Sequence, residues 1–394
     1  MNLGIVTVWD ERGAGYVSKL YFEYLKKFFD IKIYARGYSK NNFKKEKFVY
    51  TAKKVESIKP MSINKKEFKK WIDFNKIEIL LFNEQQSWEP ILWCKNWKIK
   101  TAAYIDYYTE ETIDLHFAYD LLICNTQRHY EAFSKHHNCV FYKWGTNLET
   151  FNPNHKFIEI PTFFHSCGYS PNRKGTDKVL EIFNKIDEKF KLIIHSQVDL
   201  ESKFSKLKNV IKSLKEDNRL EIINKTVEAP GLYHLGDYYV YPTKLEGIGL
   251  TLIEAMACGL IPIIPNAQPM NEFVDEKYSY KIEINRLYSR SDGYYWPQVD
   301  IEPDSFLKII LEIITNHQKK PSKEKIATFA RKNLNIMENF KGLEKDIIGL
   351  KFKELDTKNK KKIIAYEFNR PIKHSKVSFI INKLYSLLFK LKRF

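Results

Sequence analysis

The chain has 394 residues, 44% of them hydrophobic and 15% aromatic, with a formal net charge of +17. That length predicts two domains of ordinary size rather than one, and that composition excludes a disordered chain. No apolar run reaches the roughly 18 residues of a membrane span, so an integral membrane protein is not expected. Five cysteines, Cys94, Cys124, Cys139, Cys167 and Cys258, form no C-x-x-C pair and read as reduced core residues with no zinc site. Met1-Asn2 leads directly into an apolar strand, Leu3–Val8, with no secretory leader, which predicts a cytoplasmic location. The positive charge calls for an anionic partner.

After the first strand comes a turn-rich loop, Trp9–Gly15. Val17, Leu20, Tyr21, Tyr24, Leu25 and Phe28 then recur at helical spacing and predict a helix over Tyr16–Phe28. Strand, glycine loop and helix make the first βα unit of a Rossmann-like domain. The full G-x-G-x-x-G pattern is missing, so no dinucleotide is expected. On their own, Gly13 and Gly15 read as a tight βα turn. Further strands are predicted at Ile31–Ala35, Ile79–Phe82, Thr101–Ile105, Leu121–Cys124 and Cys139–Tyr142, with one strand and one helix among loops between Gly37 and Lys70. Asn83–Trp88 and Asp106–Glu110 each follow a strand end, where an open parallel sheet places its ligand crevice. Asp106, an acid straight after an apolar strand, is a candidate site residue or else a helix N-cap or loop acid. Residues 154–161 have linker composition.

In the second half, strands are predicted at Thr162–Cys167, Lys191–His195, Leu220–Ile223, Tyr238–Tyr241 and Leu260–Ile264. The first runs into Gly168–Asp177, a loop that presents Arg173 and Lys174 beside Gly175 at a helix start. Two fixed cations with free N–H groups suit a diphosphate; the alternative is a solvated basic loop. Glu246 to Ile264, EGIGLTLIEAMACGLIPII, reads as a carboxylate, a glycine loop, a helix from Leu250 closed at Gly259 in left-handed conformation, and a strand. Gly247, Ile248, Gly249, Leu250 and Thr251 form the helix entrance, where N–H groups point outward. Glu246 at that mouth would repel a phosphate, so a sugar hydroxyl or a developing positive charge is its natural partner. Glu254, inside the helix, can accept from a diol such as a ribose. Asn285–Pro297 is polar and aromatic without a period and reads as an irregular loop. Phe306–Ile314 and Lys325–Phe340 read as helices.

The Glu246–Ile264 string resembles the signature of family 4 retaining glycosyltransferases of GT-B fold. Three other segments carry the same resemblance. Lys143–Pro153 is similar to xGVDxxxFxP, with Thr146-Asn147 where Val-Asp is usual. Gly168–Gly175 is similar to G-R-x-x-x-x-K-G, with Lys174 in the lysine position, Arg173 beside it and Tyr169 in place of the arginine. The run into Glu246 matches with Thr243 in place of serine, and Gln268–Glu272 stands where G-x-P-E is usual.

The resemblance implies an α/β chain of two Rossmann-like domains facing across a cleft. Residues 1–153 would form the acceptor-side domain and 154–350 the nucleotide-sugar domain, with Asn333–Ile348 as a last helix crossing back. It implies sugar transfer from a nucleotide-sugar to a glycan, glycolipid or other acceptor with retention at the anomeric carbon. Glu246 would hold the sugar. Asp106 and His116 are further candidates for the catalytic side, His116 also reading as a packing histidine. Arg173, Lys174, Gly247, Ile248, Gly249, Leu250, Thr251, Glu254, Gly13 and Gly15 would line the donor site. No metal and no cofactor beyond the co-substrate are expected. Sugar, nucleotide and acceptor are not named by these residues.

From Lys351 the composition shifts, and about ten units of the net charge lie in residues 351–394. Lys360-Lys361-Lys362 is the densest cluster. Val377, Ile380, Ile381, Leu384, Leu388 and Leu391 then recur at helical spacing among lysines. A basic amphipathic helix suits an anionic membrane surface; the alternative is packing on the first domain or on another subunit. A peripheral position on the inner face of the cell membrane is therefore expected. The competing reading of the whole chain is a non-catalytic basic protein bound to membrane or nucleic acid. Nucleic acid is disfavoured because the charge is concentrated in one tail and no recognition module is present.

Overall fold

The computed structural model describes residues 1–11, 13–36, 46–53, 55, 61–105, 107–153, 159–317 and 321–374, without the side chains of 370–374. Asp106, most of the expected linker and the apolar repeat of 376–394 lie outside the described residues. The chain divides into two α/β units. Unit 1 comprises Met1–Cys124, His129–Phe141 and Gly342–Phe394; unit 2 comprises Asn125–Arg128 and Tyr142–Lys341. The division thus falls before the expected limit at 153, and the segment from 342 onward belongs to unit 1.

Unit 1 is built on a parallel sheet of strands β1 (Asn2–Thr7), β2 (Asp30–Ala35), β3 (Val49–Thr51), β4 (Ile79–Asn83), β5 (Lys100–Tyr104), β6 (Leu121–Cys124) and β7 (Cys139–Phe141), in the order β3-β2-β1-β4-β5-β6-β7. Every residue of β4 and β6 is buried. Central strands covered on both faces need unbroken apolar runs, which is why these were legible without alternation. The Gly13–Leu25 helix begins three residues earlier than its apolar spacing predicts, at the glycines themselves.

The last part of the chain is tied to this unit by a buried ion pair. Lys95 Nζ lies 2.6 Å from Asp120 Oδ1, with side chains 3% and 0% exposed. Asp120 also accepts from the backbone N–H of Thr101 and of Lys353, and Lys95 donates to the Lys353 carbonyl. The Thr357–His374 helix follows and packs on the Glu89–Asn96 helix, where Glu367 accepts from the Trp88 amide at 2.6 Å.

Unit 2 carries a second parallel sheet of β8 (Thr162–Gly168), β9 (Lys191–Ser196), β10 (Leu220–Asn224), β11 (Tyr238–Val240), β12 (Ile261–Pro265) and β13 (Tyr280–Ile282), ordered β10-β9-β8-β11-β12-β13. The expected irregular loop is corrected here. β14 (Ile284–Tyr288) pairs antiparallel with β15 (Gln298–Ile301). Asn285, Arg286 and Leu287 of β14 are all exposed, so no one-sided apolar pattern marks the strand in sequence.

A second correction concerns the long helix expected over Lys325–Phe340 and the crossover helix over Asn333–Ile348. The observed pieces are Lys323–Asn333, Ile336–Asn339 and Leu343–Ile348. Thr146 breaks the first: its N–H donates to the Leu334 carbonyl at 2.8 Å and its carbonyl accepts from Ile336 N. Gly145 permits that approach. A Cβ there would collide with the Leu334 carbonyl oxygen, so only glycine lets the two segments pair. Asn335 starts the next turn by accepting from Met337 N, and Gly342, at φ +99°, precedes the last of the three pieces.

Candidate functional site

In unit 2 the strand order reverses between β8 and β11, so the loops leaving their carboxyl ends are neighbours. Such a switch point is where an open α/β sheet forms its crevice. The loop after β8 carries Arg173 and Lys174; the loop after β11 carries Thr243 to Gly249. They are stitched by the Lys244 N–H donating to the Arg173 carbonyl at 2.8 Å. Gly175 allows this approach, since a Cβ there would collide with the Pro242 carbonyl oxygen, and its φ is +72°.

Glu246 stands at the meeting point and is 7% exposed. Its Oε1 lies 2.9 Å from Lys174 Nζ and accepts from the Thr243 hydroxyl at 2.6 Å; its Oε2 lies 2.8 Å from Arg173 Nη1. Burial alone would raise this carboxyl, but the Arg173 and Lys174 charges and the Thr243 hydrogen bond overcome it and hold it at about 2. Lys174 also donates to the Tyr241 hydroxyl at 2.6 Å, and burial lowers its ammonium to about 8 against the pull of Glu246. Two cations facing one carboxylate leave a net positive charge. Arg173, with a side chain 40% exposed, is the more accessible of the two; Lys174 is 10% exposed.

The Leu250–Ala257 helix opens behind Glu246. Gly249 precedes it at φ +92°, a conformation that favours glycine, although a Cβ there would meet no atom closer than 3.9 Å. Leu250 and Thr251 lie in the first turn, whose N–H groups have no acceptor within the helix. Gly247 and Ile248 bridge from the acid to that turn, with Ile248 buried. Glu254 accepts from the Tyr233 hydroxyl at 2.6 Å, and burial raises its carboxyl. Gly259 closes the helix at φ +84° and lets Lys323 approach.

Several groups without a sequence signal hold this arrangement. His165, in the middle of β8, places Nδ1 2.8 Å from the Val240 carbonyl and Nε2 2.8 Å from the Thr176 hydroxyl. A carbonyl can only accept, so Nδ1 carries the proton and Nε2 accepts from Thr176. Burial lowers His165 to about 4, which keeps that tautomer neutral. Arg128, 2% exposed, donates to the carbonyls of Glu246 and Gln268 and lies 5.3 Å over the Trp296 ring. Glu272 accepts from the backbone N–H groups of Gln127 and Arg128. A polar residue inside an apolar strand was the only available hint for His165; nothing in sequence separates Arg128 from other helix-start cations.

The unit 1 candidates are placed separately. A Cβ on Gly15 would collide with the Asp10 carbonyl oxygen, whereas one on Gly13 would meet nothing within 4 Å. Gly15 therefore serves the tight turn, and Gly13 borders open space. His116, 7% exposed, sits among Trp88, Tyr108, Tyr119 and Phe133, with Nδ1 3.0 Å from the Thr112 carbonyl. Burial lowers it to about 4, so it is neutral at pH 7. Among the described residues, no group of three or more His, Cys, Asp or Glu is placed to hold a metal ion.

Residues 149–332 match the family described as glycosyl transferases group 1. An uncharacterized glycosyltransferase of Haemophilus influenzae is 27% identical over 133 residues, 33% of this chain and 38% of that protein. The chain spans less than half the length of the curated relatives it matches. A glycosyltransferase structure from Rickettsia africae superposes with a TM-score of 0.67 at 15% identity, covering 88% of this chain and 98% of that one. Anabaena HepE in complex with UDP does so with a TM-score of 0.67 at 15% identity, covering 89% and 100%. These likenesses show the GT-B fold.

Proposed function

We propose, from the group 1 glycosyl transferase segment at 149–332, that this protein moves a sugar from a nucleotide-sugar to a glycan or lipid-linked acceptor, with retention at the anomeric carbon. The observation that carries the reading is Glu246 held between Arg173 and Lys174 at the switch point, in front of a helix N-terminus. A leaving nucleoside diphosphate gains negative charge as the glycosidic bond breaks. Arg173, Lys174 and the first-turn N–H groups at Leu250 and Thr251 supply fixed positive potential for it. Glu246 stays ionised and faces the sugar, accepting from its hydroxyls and favouring positive charge at the anomeric carbon. Glu254 accepts from the ribose diol. Arg173 stands in for the arginine that Tyr169 replaces.

In this reading the cations do the work of a metal, so catalysis is metal-independent. No residue is assigned as a covalent nucleophile. HepE binds UDP, which makes a uridine diphosphate sugar the first donor to test. The basic end of the chain, from Lys351, attaches the enzyme peripherally to the cytoplasmic face of a membrane, where a lipid-linked acceptor lies.

A thermal-shift screen of UDP-, GDP-, ADP- and CMP-sugars tests the donor. A ligand at 100 times its dissociation constant stabilises the native state by about 2.7 kcal/mol. Silence from all four, with Glu246→Gln turning over as fast as wild type in a transfer assay, would sink the reading. Transfer that survives chelation of divalent ions is the expected result for metal independence.

A further inference from the structure

We infer that the exposed edge of the Thr357–His374 helix, centred on Ile364 and Phe368, is the surface that seats unit 1 on an anionic lipid bilayer. The inference rests on the membrane attachment proposed above, and it moves the contact from 376–394 to a helix fixed on the fold.

The helix has two distinct sides. Ile363 and Glu367 are 1% and 3% exposed and face unit 1. They hold the helix in place, with Glu367 accepting from the Trp88 amide and Lys362 paired to Asp114 at 2.6 Å. Ile364 and Phe368, one turn apart, are 57% and 76% exposed. Side chains four residues apart on a helix share a face, so these two form one apolar edge. Lys358, Lys360 and Lys361 are exposed on the same helix, with Asp356 just before it interacting with Lys358. Glu367, the only acid of the helix, is buried.

Charge decides what covers this edge. A second copy would set lysines against lysines. The chain's own 376–394 stretch carries Lys376, Lys383, Lys390, Lys392 and Arg393 and would bring like charge to the same edge. An anionic bilayer attracts the lysines and takes up the apolar pair between its headgroups, the arrangement of an interfacial helix. No helix among the described residues is long and apolar enough to cross a membrane.

The test is co-sedimentation of the full-length chain with phosphatidylcholine vesicles and with vesicles containing about one-third phosphatidylglycerol. Wild type should pellet with the anionic vesicles only. The double variant Ile364→Glu, Phe368→Glu should bind on the order of tenfold more weakly. Its melting temperature should be unchanged, because both side chains are solvated. Phe368→Trp should bind and shift its fluorescence to shorter wavelength on anionic vesicles. If wild type ignores anionic vesicles, the inference and the membrane reading fall together. If the double variant binds as wild type does, the inference alone falls. Self-association without lipid that the double variant abolishes would assign the edge to a second copy instead. Nucleotide-sugar binding, measured by thermal shift, should be the same in all variants and tests the donor reading separately.

Discussion

Lys174 and Glu246 come from different loops of unit 2 and meet at 2.9 Å, the lysine also donating to Tyr241 and the glutamate also accepting from Thr243. Each residue is buried, and each finds in the other the charge that makes burial tolerable. The carboxylate pairs with two cations that the proposed reaction needs for a diphosphate. Donor entry would therefore redistribute existing contacts.

Glu246→Gln removes the charge but keeps the shape. Arg173 and Lys174 then lack their anion, and unfolding titrations should show a loss of about 3 kcal/mol. Turnover should fall by about 100-fold or more while the donor dissociation constant changes far less. An equal loss in both would show that Glu246 serves donor binding rather than the transferring sugar.

The pH dependence has separate acid and alkaline limbs. Glu246 ionises at about 2 in the fold against an ordinary 4.5, so its stabilisation is present above 4.5 and is lost as pH falls from there toward 2. Lys174 releases its proton at about 8 against 10.5 when unfolded. The unfolded state binds more protons in that window, so this group's contribution to stability rises between 8 and 10.5. Activity should move the other way, because a neutral Lys174 no longer meets phosphate charge. Turnover profiles beside denaturation midpoints across roughly pH 6–10 should diverge above about 8.

His165 should behave as a neutral strut. Replacing it by Ala leaves the Val240 carbonyl and the Thr176 hydroxyl buried without their partner, a cost of about 2–4 kcal/mol. Its folded value of about 4 lies below the ordinary 6.5, so the unfolded state binds more protons between them. Wild-type stability should fall as pH drops from 6.5 toward 4, and part of that slope should vanish in the variant. An unaltered slope would remove His165 as its source.

Gly13 and Gly15 separate under alanine substitution. Gly13→Ala should change stability by less than about 0.5 kcal/mol, since its Cβ enters open space. Gly15→Ala forces the turn apart at Asp10 and should cost about 2 kcal/mol or more. Thermal melts of the two proteins make the comparison.

Asp120→Asn should strip Lys95 of its anion in a dry setting and cost about 3–5 kcal/mol. Hydrogen exchange should then show the Lys353 amide, which donates to Asp120, opening earlier than in wild type.

Most strand positions were legible because β1, β4, β6 and β12 are short apolar runs bounded by turn residues, as doubly covered strands must be. The Leu250–Ala257 helix was legible for the same local reason, with glycines marking both ends. Strand β14 was not, because its exposed run Asn285–Leu287 carries no one-sided pattern. The helix break at Leu334 was not, because Thr146, distant in sequence, causes it.

By itself, then, the sequence determined two α/β halves, the glycine-flanked helix after Glu246, a basic loop with Arg173 and Lys174, and a basic final segment. These follow from local periodicity, turn chemistry and charge. Only the tertiary structure decided that both cations close on Glu246, that Gly15 is spent on a turn against Asp10, and that Ile364 and Phe368 face solvent while Ile363 and Glu367 do not. Each of these depends on which distant segment arrives beside a residue. Helical spacing marks which side chains share a face, but burial depends on what packs against that face.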